Sequence, residues 1–168
     1  MTDTKAIEAL VSCSNEKAAF EPPKKPEHLW KVCVLGDIGT GKTSFIKRTV
    51  HNIFSIHYKS TIGVDFALKI LNNENETCRF QLWDIAGQER YGNMTRVYYK
   101  ESIGAFVIVD ATRSDTLRGA IKWKHDFDTK CGWENAYPEN SPSPVILLVN
   151  KIDLLDSDEL NQLNYNEF

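Results

Sequence analysis

The sequence predicts an α/β domain in which helices cover both faces of a mostly parallel β-sheet, forming a three-layer sandwich. Apolar segments with the composition of strands alternate along the chain with amphipathic segments of helical period. Two of the apolar segments, IGAFVIVD (103–110) and PVILLVN (144–150), have no polar residue before their last position. This pattern is typical of strands buried on both faces. The 168 residues are enough for one domain with a sizeable core.

We predict that residues 1–29 form a polar, flexible leader and that residues 30–168 form the domain. The leader contains EPPKKPEH (21–28), whose three prolines end any helix before them. The net charge of −3 gives no electrostatic reason to expect a nucleic-acid partner. The four cysteines lack the short spacing of a zinc site, and we expect no transmembrane helix because no apolar run is long enough.

The first half of the domain has the predicted order strand, helix, strand, strand. KVCVLG (31–36) is a valine-rich apolar run that indicates a buried strand. VDFALKIL (64–71) and CRFQLWD (78–84) alternate in polarity and are separated by turn residues, so they predict a hairpin. TSFIKRTVHNIF (43–54) predicts a helix with one apolar face. That face comprises Phe45, Ile46, Thr49, Val50 and Ile53.

A second helix is predicted between the two continuously apolar strands, because apolar or long aliphatic side chains recur there near helical spacing. These side chains are Leu117, Ala120, Ile121, Lys124 and Phe127. Segment 131–144, CGWENAYPENSPSP, is predicted to be an exposed loop. DSDELNQL (156–163) predicts the start of a further helix, with Asp156 or Ser157 as its N-cap.

GDIGTGKT (36–43) has the spacing of a phosphate-binding loop between a strand and a helix. Glycines permit the tight turn that aims backbone N–H groups at a phosphate, and the helix N-terminus adds positive charge. Lys42 can reach the β- and γ-phosphates, and the Thr43 hydroxyl can ligate Mg²⁺. The alternative is a glycine-rich turn with a chance lysine. The predicted nucleotide-binding residues of this motif are Asp37, Ile38, Gly39, Thr40, Gly41, Lys42, Thr43 and Ser44.

WDIAGQE (83–89) follows an apolar strand and adds the residues expected around the terminal phosphate. Asp84, at the strand end, can hold a water on Mg²⁺. The backbone N–H of Gly87 is free to contact a γ-phosphate, and the Gln88 amide can orient an attacking water. Alone, the motif could equally be a strand that ends in a polar turn.

NKID (150–153) also ends an apolar strand, and its chemistry distinguishes guanine from adenine. The Asp153 carboxylate can accept hydrogen bonds from both N1–H and the N2 amino group of guanine. Adenine has no such donor pair, so ATP would leave the carboxylate unpaired. Asn150 can brace the loop, and the aliphatic stem of Lys151 can lie over the base and ribose.

With these three motifs in this order, residues 30–168 resemble a Ras-type small GTPase, which has the P-loop NTPase form of the three-layer sandwich. STIGVDF (60–66), FQLWDIAGQER (80–90) and VYYKES (97–102) resemble the segments that mark the Rab branch. The isoleucine in DIAGQE and the segment GNMTRVYYKE (92–101) resemble the Rab subgroup of lysosome-related organelles.

The resemblance assigns further roles. It implies that Thr61 closes over the γ-phosphate and Mg²⁺, that Phe54 stacks near the guanine, and that residues 54–63 and 86–98 are the two switch segments. The metal ligands it implies are Thr43, Thr61 and Asp84, and the catalytic residues are Gln88 and Lys42. The implied effector surface is the aromatic triad Phe66, Trp83 and Tyr98, which could equally be core packing.

Two departures from the family pattern modify this expectation. Ile38 stands where Ras has glycine, and its branched side chain would crowd the γ-phosphate, so we expect slow intrinsic hydrolysis. Nothing after Asp153 resembles the guanine-contacting segment near the family's C-terminus. We therefore expect a domain that is truncated at its C-terminus and lacks the family's final strand and helix.

The resemblance implies a Rab-like GTP/GDP switch in vesicle or organelle membrane traffic, with GTP or GDP and Mg²⁺ as ligands. Implied partners are an exchange factor, a GAP and effector proteins. The implied location is the cytoplasm and the cytosolic face of lysosome-related or endosomal membranes, reached only through a lipidated C-terminal tail that this chain lacks. One alternative is a truncated interaction module that binds nucleotide poorly. Another, an ATP-using P-loop enzyme, conflicts with Asp153.

Overall fold

The computed structural model describes residues 25–88, 94–132 and 143–161. These residues form five strands, four α-helices and one 3₁₀ turn. The strands are β1 (Glu27–Leu35), β2 (Val64–Asn72), β3 (Thr77–Ile85), β4 (Gly104–Asp110) and β5 (Val145–Asn150). The helices are α1 (Lys42–His51), α2 (Thr95–Tyr99), α3 (Ser114–Lys130) and α4 (Ser157–Asn161), and the 3₁₀ turn is Ile152–Leu154.

The five strands form one sheet in the order β2-β3-β1-β4-β5. β1 is parallel to β3 and to β4, and β4 is parallel to β5. β2 and β3 form the predicted antiparallel hairpin. The prediction of a mostly parallel sheet is therefore confirmed. Because the four parallel strands point the same way, the loops that follow them meet at one edge, where α/β domains bind their ligands.

Two clusters of buried side chains cover the two faces of the sheet, which confirms the three layers. On one face, α3 contributes Trp123 and Phe127, and Phe127 meets Tyr99 of α2 edge to face at 5.2 Å. On the other face, α1 contributes Ile46, which packs against Val34 of β1 and its neighbours. Burial of each of these large side chains stabilises the fold by about 1.5–3 kcal/mol.

Helix α1 is shorter than predicted. It ends at His51 because Asn52 adopts the left-handed conformation with φ 57°. The Asn52 N–H donates to the Arg48 carbonyl and the Ile53 N–H to the Lys47 carbonyl, which caps the helix. Ile53 therefore lies beyond the helix, with 57% of its surface exposed, so its assignment to the apolar helical face is wrong. Ile46 is buried as predicted, and Phe45 and Val50 are half-buried against the same core.

Strand β1 is longer than predicted, because it begins at Glu27 and not at residue 31. Its first residues pair with β3 from Glu27 opposite Thr77 onward. The Arg79 guanidinium donates a 2.9 Å hydrogen bond to the Glu27 carboxylate, which lowers the pKa of Glu27. Burial alternates along EHLW, with Glu27 and Leu29 exposed and His28 and Trp30 half-buried, which is the period of a strand.

The buried face of α3 is only partly the predicted one. Ala120 and Phe127 are buried, whereas Leu117, Ile121 and Lys124 are only half-buried. The fully buried positions that the spacing missed are Thr116, Gly119 and Trp123. Thr116 and Gly119 were missed because Thr and Gly carry no hydrophobic signal, although the lack of a side chain lets Gly119 approach Asp37 closely. Trp123 is apolar and lies at helical spacing from Ala120 and Phe127, but the predicted face did not include it.

Asp156 is the N-cap of α4, and it is one of the two positions predicted for that role, Asp156 and Ser157. Its carboxylate accepts hydrogen bonds from the N–H groups of Asp158 and Glu159 at 3.0 and 2.8 Å. Glu159 in turn accepts from the Asp156 N–H at 3.0 Å, which completes a capping box. Most of the predicted leader and residues 133–142 of the predicted loop lie outside the described residues. Within the described part of the chain, no helix is long and apolar enough to cross a membrane.

Candidate nucleotide-binding site

The loop between β1 and α1 has a backbone that only glycine accommodates easily. Gly41, the residue before α1, has φ +98°, and a Cβ there would lie 2.2 Å from the amide nitrogen of Asn150. The close approach lets Asn150 Nδ2 donate a 2.8 Å hydrogen bond to the Thr40 carbonyl. The predicted bracing of the phosphate loop by Asn150 is therefore present in the structure.

Lys42 is buried at the start of α1 and points its ammonium into this loop. Its Nζ donates to the carbonyls of Gly36 at 2.8 Å and Asp37 at 3.0 Å. Burial lowers the pKa of Lys42 to about 8, against the opposing influence of the Asp84 and Asp37 carboxylates. A buried cation with backbone carbonyls as its partners is suited to binding an anion in the loop.

The three predicted metal ligands converge at the end of β3. Oδ2 of Asp84 accepts hydrogen bonds from the hydroxyls of Thr43 at 2.5 Å and Thr61 at 3.2 Å. The two hydroxyl oxygens are 2.8 Å apart. Oδ1 of Asp84 is buried and has no hydrogen-bond partner among the described residues. Hard oxygen donors with one buried, unsatisfied carboxylate oxygen fit the preference of Mg²⁺, so these residues could hold that ion directly or through water.

At Gly87, the loop that follows β3 lies against the phosphate loop. A Cβ on Gly87 would lie 2.5 Å from the Ile38 nitrogen, so only glycine allows this contact. The two loops therefore border the same space, and Gln88, which is exposed, faces it. Residues 89–93 of the predicted second switch segment lie outside the described part of the chain.

The base-recognition motif lies across the edge from the phosphate loop. Lys151 Nζ is 2.6 Å from Oδ2 of Asp110, and this ion pair fixes the lysine stem along the cleft. Asp153 lies in the 3₁₀ turn and is exposed, with its side chain in the cleft lining. The carboxylate is thus available to a ligand, as base recognition requires.

One cleft of about 660 Å³ joins these groups, a size suited to a small organic ligand. The predicted site residues that line it are Ile38, Gly39, Gly41, Lys42, Thr43, Ser44, Phe54, Thr61, Gly87, Gln88, Asn150, Lys151 and Asp153. Asp37, Thr40 and Asp84 lie behind this lining. Phe54 is 66% exposed, three residues past the end of α1.

Three residues that the sequence did not single out, namely Asp110, Arg113 and Trp123, support the site. Asp110, at the end of β4, pairs with Lys151 and with Arg113, whose Nε lies 3.2 Å away. Burial tends to raise the pKa of Asp110, but hydrogen bonds from Lys151 and Thr112 outweigh it and lower the pKa to about 2. Trp123 Nε1 donates a 2.9 Å hydrogen bond to the Asp37 carboxylate. The sequence signal that could have identified Asp110 as a site residue is its position near a strand end, which it shares with Asp84 and Asn150.

The predicted aromatic triad lies only partly on one surface. Phe66 is 61% exposed and stacks on Trp83 with ring centroids 6.0 Å apart. The Lys31 ammonium lies 3.9 Å from the Trp83 ring centroid, a cation–π contact. Tyr98 is half-buried and packs against the core cluster of α2 and α3. Phe66 is therefore available to a partner, while Tyr98 also has a packing role.

Comparison with known proteins agrees with this geometry. Residues 31–168 match the Ras family. Human Ras-related protein Rab-32 is 58% identical over 137 residues, which are 81% of this chain and 59% of that protein. Rab-32A of Dictyostelium discoideum is 60% identical over 129 residues, 76% of this chain and 58% of that protein. Human Rab-7L1 is 47% identical over 129 residues, 76% of this chain and 62% of that protein.

The chain thus spans about three-fifths of the length of these relatives. The match covers the phosphate loop, the Asp84 motif and the base-recognition motif that the structure gathers at one edge of the sheet. The chain belongs to the Ras family, and its similarity is to proteins of the Rab branch.

Proposed function

We propose that the chain is a Rab-like GTPase that binds GTP or GDP with Mg²⁺ and acts as a switch in membrane traffic. The observation that carries the proposal is the cleft whose lining brings together the phosphate loop, Asp153, and the Thr43 and Thr61 partners of Asp84. Asp153 favours guanine over adenine because its exposed carboxylate matches the N1–H and N2 amino donors of guanine alone.

In this proposal the chain's own groups bind the nucleotide in three places. Lys42 and the loop N–H groups hold the β- and γ-phosphates, Phe54 and the Lys151 stem flank the guanine, and Asp153 accepts from it. Thr43, Thr61 and Asp84 would hold Mg²⁺, which neutralises charge on the phosphates when it is bound. Gln88 orients the attacking water through its amide.

The switch itself is proposed to act through Thr61. Residues 54–60 are exposed and form no helix or strand, whereas Thr61 is half-buried through its bond to Asp84. A γ-phosphate that recruits the Thr61 hydroxyl would order the preceding segment, and hydrolysis would release it. Phe66 and its neighbours would then present an effector surface whose shape depends on the nucleotide. Exchange factors and GAPs would determine whether the chain carries GTP or GDP.

The nucleotide part of the proposal is tested by displacement of fluorescently labelled GDP from the full chain. Unlabelled GDP and GTP should compete, and ATP should fail to compete even at a hundredfold excess, because a site built to hydrogen-bond one base rejects a base without those donors by about 10⁴-fold. Equal competition by ATP would identify an ATP-using enzyme and contradict the proposal. Hydrogen exchange of residues 54–63, with GDP and with a non-hydrolysable GTP analogue, tests the switch.

The cellular part of the proposal places the chain in the cytoplasm, and a full-length lipidated form at the cytosolic face of lysosome-related or endosomal membranes. Its support is the similarity to Rab-32 and Rab-7L1. Imaging of a fluorescently tagged chain against endosomal and lysosomal markers tests the location. A nuclear or secreted signal would contradict it.

A further inference from the structure

Arg113, in the loop after β4, contacts the backbone of the phosphate loop. Its Nη2 donates a 2.9 Å hydrogen bond to the Ile38 carbonyl, 75 residues away in the sequence. The same guanidinium lies beside Gly39, where an added Cβ would be 3.8 Å from Nη2. Gly39 lines the cleft, whereas Arg113 does not. The arginine therefore holds the loop from the side away from the cleft.

Because a peptide bond is planar, the contact at the Ile38 carbonyl also sets the orientation of the Gly39 N–H. The Ile38 carbonyl and the Gly39 N–H belong to one peptide plane, and no peptide among the described residues is cis. In a trans peptide these two groups point in opposite directions. By holding the carbonyl, Arg113 directs the Gly39 N–H away from itself and toward the cleft. Gly39 has φ +77°, and because glycine has no Cβ, the peptides on either side of Gly39 rotate more freely than those of other residues.

Arg113 is itself held in place by a buried carboxylate. Its Nε lies 3.2 Å from Oδ2 of Asp110, whose side chain is 3% exposed. Lys151 of the base-recognition motif pairs with the same oxygen at 2.6 Å. One carboxylate thus links the base-recognition loop to the phosphate loop through Arg113. The planar guanidinium suits this role because its Nε and Nη2 bind two acceptors at once.

We propose that Arg113 is a positioning residue that orients the Gly39 N–H toward a phosphate of the bound nucleotide and so slows nucleotide release. This proposal rests on the proposed nucleotide-binding function. It does not make Arg113 a catalytic residue, because its guanidinium lies outside the cleft lining.

The test compares the full chain with Arg113→Met, which keeps the length of the side chain and loses its donors. Arg113→Lys keeps the charge but lacks the fork, and Arg118→Met, an exposed arginine of α3, is the matched control. GDP release is measured with labelled GDP, and the amide proton of Gly39 is followed by NMR in the GDP complex. The Gly39 amide separates a specific effect from general destabilisation, since the Thr43 amide, in the first turn of α1, provides an internal reference.

We expect Arg113→Met and Arg113→Lys to release GDP about tenfold faster, the size of one lost charge-assisted hydrogen bond. The Gly39 amide proton should move upfield as its bond to phosphate weakens, while Thr43 and the Arg118→Met variant stay unchanged. Unchanged GDP release, full rescue by lysine, or equal shifts of Gly39 and Thr43 would overturn this proposal alone. A full chain that takes up no GDP would overturn the proposed function as well, so the two failures are distinguishable.

Discussion

The Thr43 hydroxyl donates a 2.5 Å hydrogen bond to the carboxylate of Asp84, 41 residues further along the chain. Thr43 is the second residue of the helix after the phosphate loop, and Asp84 is the last residue but one of the strand parallel to β1. The contact brings two separate sequence motifs to one point. The account of this chain as a Mg²⁺-dependent nucleotide switch depends on that convergence.

Loss of the Thr43 hydroxyl should remove the Mg²⁺ dependence of nucleotide binding. In the unmodified chain, EDTA should speed GDP release by roughly ten- to a hundredfold, because a ligated divalent ion offsets phosphate charge. Thr43→Val, which keeps the shape, should release GDP fast with or without EDTA. Thr49→Val on α1 is the control, since Thr49 does not line the cleft. A strong EDTA effect that persists in Thr43→Val would contradict the assigned ligand.

Asp153→Asn should change which base the site prefers. The amide keeps the size of the carboxylate but offers a donor where guanine also has donors, so GDP affinity should fall by about a hundredfold or more. Xanthosine diphosphate, whose base carries a carbonyl at that position, should bind the variant better than the unmodified chain does. Competition titrations measure both effects, and Asp158→Asn is an exposed control. Unchanged GDP affinity in Asp153→Asn would remove Asp153 from the base site.

The stability of the nucleotide-free chain should rise with pH above about 8. Burial lowers the pKa of Lys42 to about 8 in the folded chain, from 10.5 as the ordinary value. Between these values the unfolded chain binds more protons, so the free energy of unfolding increases with pH. Below about pH 8 both states are protonated, and this contribution is constant.

Urea unfolding of the nucleotide-free chain at several pH values between about 7 and 10 checks this linkage. Lys42→Met should lose the rise, and Lys47→Met, an exposed lysine on the same helix, should keep it. If Lys42→Met and the unmodified chain had the same pH profile, the buried ammonium would not be its source.

Ile38→Gly should speed single-turnover GTP hydrolysis. Ile38 is 50% exposed in the cleft lining, and its nitrogen would be 2.5 Å from a Cβ on Gly87. The Ile38 backbone therefore lies beside Gly87, the residue before Gln88, and Ile38 lines the same cleft as Gln88. Removing the branched side chain should raise the rate by about three- to tenfold, equivalent to roughly 1 kcal/mol of barrier, with Ile38→Val in between. Equal rates for all three chains would refute the steric explanation.

A partly buried polar network should stabilise α2 against α3. Tyr99, which is fully buried, donates a 3.0 Å hydrogen bond to Asp126, and Asp126 pairs with Lys130. The Lys130 ammonium also donates a 3.0 Å hydrogen bond to the Thr95 hydroxyl of α2. Tyr99→Phe should lower the free energy of unfolding by about 1 kcal/mol, because the half-buried Asp126 carboxylate loses one of its donors.

The matched control for Tyr99→Phe is Tyr58→Phe, whose ring is 70% exposed and whose loss of a hydroxyl should leave stability unchanged. Denaturant unfolding of the nucleotide-free chains compares the two variants. Equal stability of Tyr99→Phe and the unmodified chain would mean that the network contributes nothing measurable.

The sequence predicted most of the fold because its strong signals were local. The continuous apolar composition of β4 and β5, the alternation in β2 and β3, and the glycine spacing of the phosphate loop each specify one element. The order of those elements then leaves few topologies. The end of α1 was missed because it depends on the left-handed conformation of Asn52, which nothing in its apolar pattern marks.

The site was predictable where one residue type performs one chemistry, as with Lys42, Thr43 and Asp153. Arg113 and Asp110 could not be found in this way, because their role depends on packing between β4 and two distant loops. Asp37 is a further example. Its place in the loop was predicted, but its bond to Trp123, 86 residues away, exists only because α3 packs on the sheet.

The most direct test of the account is the nucleotide content of the purified chain, released by denaturation and separated by ion-exchange chromatography. We predict close to one mole of GDP or GTP per mole of chain, with adenine nucleotides at trace level. Asp153→Asn should lose the guanine nucleotide under the same purification. A folded chain that carries no nucleotide, and takes none up with Mg²⁺ present, would contradict the claim that the motifs gathered at this cleft form a working guanine-nucleotide site.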